Sequence, residues 1–234
     1  MTDPHSALIV VAHPDDEILG AGGLASRLTC RGVPVRAAIL CGDVAARTNR
    51  PGDGDLQYDL MKAAETLGMG EPLLGTFPNI QMNTVPHLEL VQFVENAIEE
   101  TGADVIVTHH PEDLNDDHKQ VSSAAQAAAR LPQRKEGLPR LRSLHFMEVL
   151  SSTDWGYPAS DGGFTPNSFI ELGEHHLARK LAALSCYRDV MRPYPHPRSV
   201  EAIRGLAQVR GAQAGMVLAE AFDTRFLNLD FLSW

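Results

Sequence analysis

The sequence predicts a single α/β domain: an open, mostly parallel sheet with helices on both faces. Three observations carry that expectation. Short apolar runs alternate along the chain with segments of helical periodicity, the order that builds parallel sheets from β-α-β units. The 234 residues suffice for one sizeable domain, or at most two small ones. Proline and glycine thicken around 132–139 and 154–166. The pieces on either side are too small to fold alone, so these stretches are expected to be long loops inside one unit running from 1 to 234.

In chain order, SALIVVA (6–12) has the unbroken apolar character of a strand buried on both faces. A helix follows over roughly 17–31, carrying Ile18, Leu19, Leu24 and Leu28. PVRAAILC (34–41) is the next strand, and the polar loop GDVAARTNRPGDGD leads into a helix at about 55–68. HLELVQFVENAIEETG (87–102) is amphipathic, with Leu88, Val91, Phe93, Val94 and Ile98 near helical spacing and Gly102 as its stop. ADVIVTHH (103–110) gives a third strand and DHKQVSSAAQAAARL (117–131) another helix. Further on, ARKLAALSCYRDVM (178–191) and LAQVRGAQAGMVLAEAF (206–222) are expected as packing helices.

Charge and composition exclude several functions. Acidic residues outnumber basic ones 30 to 20 and no basic run occurs, so a nucleic-acid surface, which needs clustered Lys and Arg, is not expected. The first residues lack a basic segment, and ALIVVA is too short for a signal peptide or a membrane span. Cys30, Cys41 and Cys186 are odd in number and far apart, the pattern of a reduced, cytoplasmic protein.

Open parallel sheets bind ligands beyond the carboxyl ends of their strands. Two polar clusters fall there: HPDDE (13–17) after the first strand and HHPEDLNDDH (109–118) after the third. If those strands are neighbours, the clusters face each other across one crevice. A single Asp in PDDE could simply cap a helix, and a lone His at a strand end is more often hydrogen-bonded than a ligand. Together, however, they set four histidines and a dense group of carboxylates on two loops, which is costly to desolvate without a cation or proton.

A catalytic zinc site takes three N or O ligands and keeps one position open. His13 and Asp16, at H-x-x-D spacing, can place two donors on one side of a tight turn, and His118 can supply the third from across the crevice. Asp15 lies between the first two and is then free to act as general base toward an activated water. No cysteine lies near, so a closed structural site is not expected. From this chemistry alone the expectation is a metal-assisted hydrolase.

AHPDDE followed about a hundred residues later by HHPEDLNDDH resembles the LmbE-like (PIG-L) zinc-dependent N-deacetylases. The tail HPRSVEAIRGLAQVRGAQAGMVLAEAF (196–222) is similar to the branch of that family found among sugar and polysaccharide biosynthesis proteins. The resemblance spans nearly the whole chain. It implies a Rossmann-like fold, one Zn2+ per chain on His13, Asp16 and His118, and Asp15 as general base. The implied substrate is a small-molecule N-acetyl amino sugar or glycoconjugate; the family often assembles, which leaves both a monomer and a homo-oligomer open.

One departure matters. Many members carry a second histidine in an H-x-D-H arrangement, and here that position is Asn115. Asparagine can donate a hydrogen bond to an oxyanion but cannot deliver a proton at neutral pH. Either Asp15 returns its own proton to the leaving amine beside Asn115, or His110 or His109 on the same loop takes the missing role. Asp113 and Asp117 are expected to orient ligand imidazoles or to cap the following helix.

Outside the clusters, Asp43, Arg47 and Arg50 lie beyond the second strand on the ligand side. The arginines could grip a hydroxylated sugar or a phosphate, or belong to a solvated loop. FPNIQMN (77–83) looks like the family's substrate loop, with Asn79 as a hydroxyl contact. Trp155 and Tyr157 could stack on a sugar face or stiffen a surface loop. His175, His176 and His196 carry no motif, and GAGG (20–23) lacks dinucleotide-binding spacing. Two rival functions stand. A phosphoesterase is disfavoured because two-metal sites want more bridging carboxylates. A metal-dependent sugar- or nucleotide-binding protein would keep His13, Asp16 and His118 without needing Asp15.

Overall fold

Alternate residues of two central strands enter opposite cores, so that these strands lie between helices on both sides. The computed structural model describes residues 4–42, 53–156 and 163–231. Ala7, Ile9 and Val11 of β1 (Ala7–Val11) and Val35, Ala37 and Ile39 of β2 (Val35–Ile39) face one core. Leu8, Val10 and Ala38 face the other. The first core is closed by α1 (Asp16–Cys30), α2 (Asp53–Leu67), α5 (Gly173–Leu184) and α6 (Val200–Ala214). The second is closed by α3 (His87–Thr101) and α4 (Asp116–Ala128).

The remaining strands are β3 (Leu73–Leu74), β4 (Val105–His109), β5 (Ser143–Met147), β6 (Ser168–Glu171) and β7 (Ala219–Leu227). They complete a sheet of order β3-β2-β1-β4-β5-β7-β6. Strands β1 to β5 pair in parallel, while β7 is antiparallel to both β5 and β6. The chain winds outward in one direction from β1 and in the other from β4, so the order reverses between them. That reversal is where loops splay apart and open a crevice. β1 and β4 are paired from Ala7↔Val105 to Val10↔Thr108, so the two polar clusters do emerge side by side.

Two expectations need correction. Leu88 is 64% exposed, and α3 buries Leu90, Val91, Val94, Ala97 and Ile98 instead. At roughly 100° per residue, Leu88 points about 120° away from that stripe. The tail 206–222 is not one helix: α6 stops at Ala214, Gly215 takes a left-handed φ of 70°, and β7 begins at Ala219. Gly215 supplies the conformation that most side chains avoid at a helix end. A Cβ on Gly211 would lie 2.6 Å from the Met216 carbonyl oxygen, so the returning chain packs directly on the helix. Likewise α5 ends at Leu184, well short of Met191.

Candidate metal centre

Asp15 turns the chain from β1 into α1 with a left-handed φ of 96°. Carboxylates take up the amides exposed by that turn. Asp16 Oδ2 accepts from His13 N at 3.1 Å, and Glu17 Oε2 accepts from Asp15 N at 3.0 Å. The other Glu17 oxygen is hydrogen-bonded to the Tyr187 hydroxyl. Burial lifts the Glu17 carboxyl to about 8, with Asp15 adding to the rise against the pull of Tyr187. Glu17 and Tyr187 therefore brace the turn from beneath.

The opposite wall comes from the segment joining β4 to α4. Asn115 caps α4, its side-chain oxygen accepting from Asp117 N at 3.0 Å, and Asp113 Oδ1 accepts from Asn115 N at 2.9 Å. With the oxygen of Asn115 so engaged, Nδ2 is its hydrogen-bond donor. The capping run puts Asp117 and His118 in the first turn of α4, opposite His13 and Asp16.

Three donors meet there. His118 Nε2 lies 3.2 Å and His13 Nδ1 3.4 Å from the same oxygen, Asp16 Oδ2. Each imidazole is held from behind by a carboxylate: His13 Nε2 by Asp117 at 2.9 Å, His118 Nδ1 by Asp113 at 3.2 Å. Asp113 is itself fixed by Ser152 and by Thr153 Oγ1, the latter at 2.7 Å. Burial disfavours charge on His118, yet Asp16 and Asp113 drive it up to about 10. Burial likewise raises Asp16, but His118 and His13 outweigh it and hold the carboxyl well below its usual range. The electrostatics demand a positive charge at this point, and a metal ion can supply it as well as a proton can. Two imidazoles and a carboxylate, each imidazole backed by an acceptor, fit a zinc ion.

His109, Asp113 and His118 form a second group of close donors, entirely buried. There His109 Nε2 already accepts from Ala12 N at 2.9 Å. Burial drops its pKa to about 3, so the ring is neutral and its proton sits on Nδ1, which has no partner among the described residues. A protonated nitrogen cannot ligate. His109 instead stacks on His118, with ring centroids 3.8 Å apart, and serves as a plate behind it.

The open group faces a crevice of about 630 Å³ whose lining includes His13, Asp15, Asn79, Asn115, His118 and Arg198. Asn79 Oδ1 is buried without a hydrogen-bond partner among the described residues. Asp117 ties this substrate-side loop to the cluster, accepting from Ile80 N at 2.6 Å and Met82 N at 3.0 Å. Ile80 is held at φ 61°, an uncommon backbone for a β-branched residue. Trp155 stands at the rim, 44% exposed. His110 is not among the residues that line the crevice; it lies 3.7 Å from Asp223 and edge-on to Phe146 and Phe164. Asp43, Arg47, Arg50 and Tyr157 lie outside the described residues.

The residue missed by sequence reasoning is Arg198. Its Nη1 donates to Asp15 Oδ2 at 2.9 Å, and its Nε to Ser151 Oγ at 3.4 Å. The visible signal was the HPRS stretch just before α6.

The family model described as PIG-L: GlcNAc-PI de-N-acetylase matches residues 8–129, which include both walls of the cluster. The chain belongs to the PIG-L family. Solved structures similar to this PIG-L chain cover 93–100% of it. The conserved protein TT1542 from Thermus thermophilus superposes with a TM-score of 0.77 at 22% identity, covering 100% of this chain and 99% of that one. GalB, the 4-carboxy-2-hydroxymuconate hydratase from Pseudomonas putida, gives 0.74 at 19% identity, covering 95% and 97%. The N,N'-diacetylchitobiose deacetylase from Pyrococcus horikoshii gives 0.68 at 17% identity, covering 95% and 84%. No curated protein matched. Among the described residues, no helix is long and apolar enough to cross a membrane.

Proposed function

We propose that this protein is a zinc-dependent amide hydrolase that removes the N-acetyl group from an amino sugar or glycoconjugate, with one Zn2+ per chain. The observation that carries this reading is the convergence of His13, Asp16 and His118 at one point beside Asp15, at the floor of a crevice. The family match supports the same chemistry. Zinc bound by those three residues supplies Lewis acidity to the amide carbonyl and acidifies water.

The chain's own residues do the rest. Asp15 takes a proton from the attacking water and returns it to the leaving amine, so that acetate and a free amine form. Arg198 holds the Asp15 carboxylate in line for both transfers. Asn115 Nδ2 donates a hydrogen bond toward the developing oxyanion; His109 stacks behind His118 and His110 sits beside Asp223. Asn79 offers a buried acceptor to a sugar hydroxyl, and Arg47 and Arg50 bind charged or hydroxylated parts of the substrate. Because Arg198 enters the crevice from the last third of the chain, 1–234 works as one catalytic domain. The cytoplasm is its expected compartment, and a homo-oligomer is one form open to it.

The test is a panel of N-acetylated sugars, nucleotide sugars and glycosides, read by acetate release. The fold also carries a hydratase, so acetate is the deciding product. Release that depends on metal and on Asp15 supports the proposal. Tight sugar binding with no acetate from any member would favour a binding protein instead.

A further inference from the structure

A second meeting of metal-type donors lies at the far end of α1. Cys30, the last residue of that helix, approaches His175 and His176 in the first turn of α5, and the three ligand atoms lie within 4.8 Å of one another. The length of α1 separates this place from Asp16, roughly 20 Å at the helical rise.

We propose that Cys30, His175 and His176 bind one divalent transition-metal ion of borderline softness, zinc being the foremost, with solvent in the fourth position. A thiolate with two imidazoles selects such ions over magnesium or calcium, which prefer oxygen. A tetrahedral zinc sphere needs ligand atoms about 3.5 Å apart. Cys30 and His175 are exposed and His176 is partly so, so side-chain rotation closes the gap without unpacking the core.

The surroundings already orient two of the donors. His176 Nδ1 lies 2.8 Å from Ser26 Oγ. With the Nδ1 proton donated to Ser26, the Nε2 lone pair is left for the metal, as metal-bound histidines usually arrange it. Arg179 Nη1 donates to Cys30 Sγ at 2.8 Å, while the same guanidinium is anchored on Thr66 O at 3.0 Å and Ser26 Oγ at 3.2 Å. Metal binding releases the thiol proton to solvent, and the Arg179 contact already fixes where Cys30 Sγ sits. The bound ion then pins the end of α1, the helix that begins at the catalytic turn, to the start of α5.

Alkylation of Cys30 by iodoacetamide, followed by peptide mass spectrometry on the full-length protein, tests this. Cys186 serves as the internal control, and Cys41 is buried. Added zinc should slow alkylation of Cys30 by about tenfold or more, because a metal-held thiolate is no longer a free nucleophile. His175→Ala should remove that protection. Cobalt should give a sulfur-to-metal charge-transfer band in the parent protein that is lost in Cys30→Ser. An unchanged Cys30 alkylation rate at saturating zinc, or a cobalt band that survives Cys30→Ser, overturns the proposal. Both readouts report on the sulfur of Cys30, so they stand whether or not the crevice proves to be a deacetylase.

Discussion

Arg198 and Asp15, 183 residues apart, are joined by a hydrogen bond of 2.9 Å between Nη1 and Oδ2. Asp15 is 1% exposed, so its carboxylate depends on this cation for both charge balance and aim. Arg198→Gln should retain metal while kcat falls about 10²-fold with little change in KM, as expected when a reacting group is slightly misplaced. Arg198→Lys should recover part of the loss. An effect confined to KM would show that Arg198 binds substrate rather than positioning Asp15.

Asp15→Asn keeps the shape of the side chain but cannot accept a proton. Metal content should stay at the parental level while turnover drops by ~10²–10⁴-fold, the usual worth of general acid–base catalysis. Near-parental activity in the metal-replete variant would sink the mechanism.

Metal affinity should respond in graded fashion to the two kinds of residue around the cluster. His118→Ala removes a donor and should strip the crevice metal altogether. Asp117→Asn leaves all three donors but weakens the acceptor behind His13, and should cost about 10–100-fold in affinity. Competition with a chelator measures both, and equal losses would contradict the division.

If Arg47 and Arg50 hold the substrate as proposed, Ala at either position should raise KM and leave metal content alone. Unchanged kinetics in both variants would return that loop to solvent.

His145, on β5, is bonded through Nδ1 to Thr224 Oγ1 at 2.8 Å and through Nε2 to Ser143 Oγ at 2.7 Å. Burial holds its pKa down at about 4. An unfolded histidine titrates near 6.5, so between these values the unfolded chain binds the extra proton. Stability should therefore fall as pH drops below about 6.5, by at most about 1.4 kcal/mol per pH unit from this group. Urea unfolding of parent and His145→Gln across that range should give a flatter dependence for the variant. Parallel curves would mean that His145 takes up its proton within the fold.

The first half of the fold was legible because its strands are buried on both faces and so read as unbroken apolar runs, as at Leu8–Val11. The candidate donors were legible from two different signals: the end of β1 locates His13, and the Asn115 cap that starts α4 locates His118. The last third resisted. β7 is an antiparallel strand whose start, MVLAEAF, continues the small-residue pattern of the helix before it, and only Gly215 marks the break. Asn115 also gave less than its motif position offered, since a helix cap and an oxyanion donor present the same amide to a reader of sequence. Arg198 was hidden for a different reason: an ion pair across 183 residues leaves no local periodicity.

Asp117 serves two masters, holding His13 with the same carboxylate that locks Ile80 in its left-handed backbone. If the cluster holds the proposed ion, its occupancy and the shape of the 77–83 loop are coupled through this one carboxylate. If a sugar that settles on Asn79 favours the locked loop, it must tighten the hold on the ion, and the ion must tighten the hold on the sugar by the same factor. Metal affinity measured without substrate would then understate the affinity that operates during turnover.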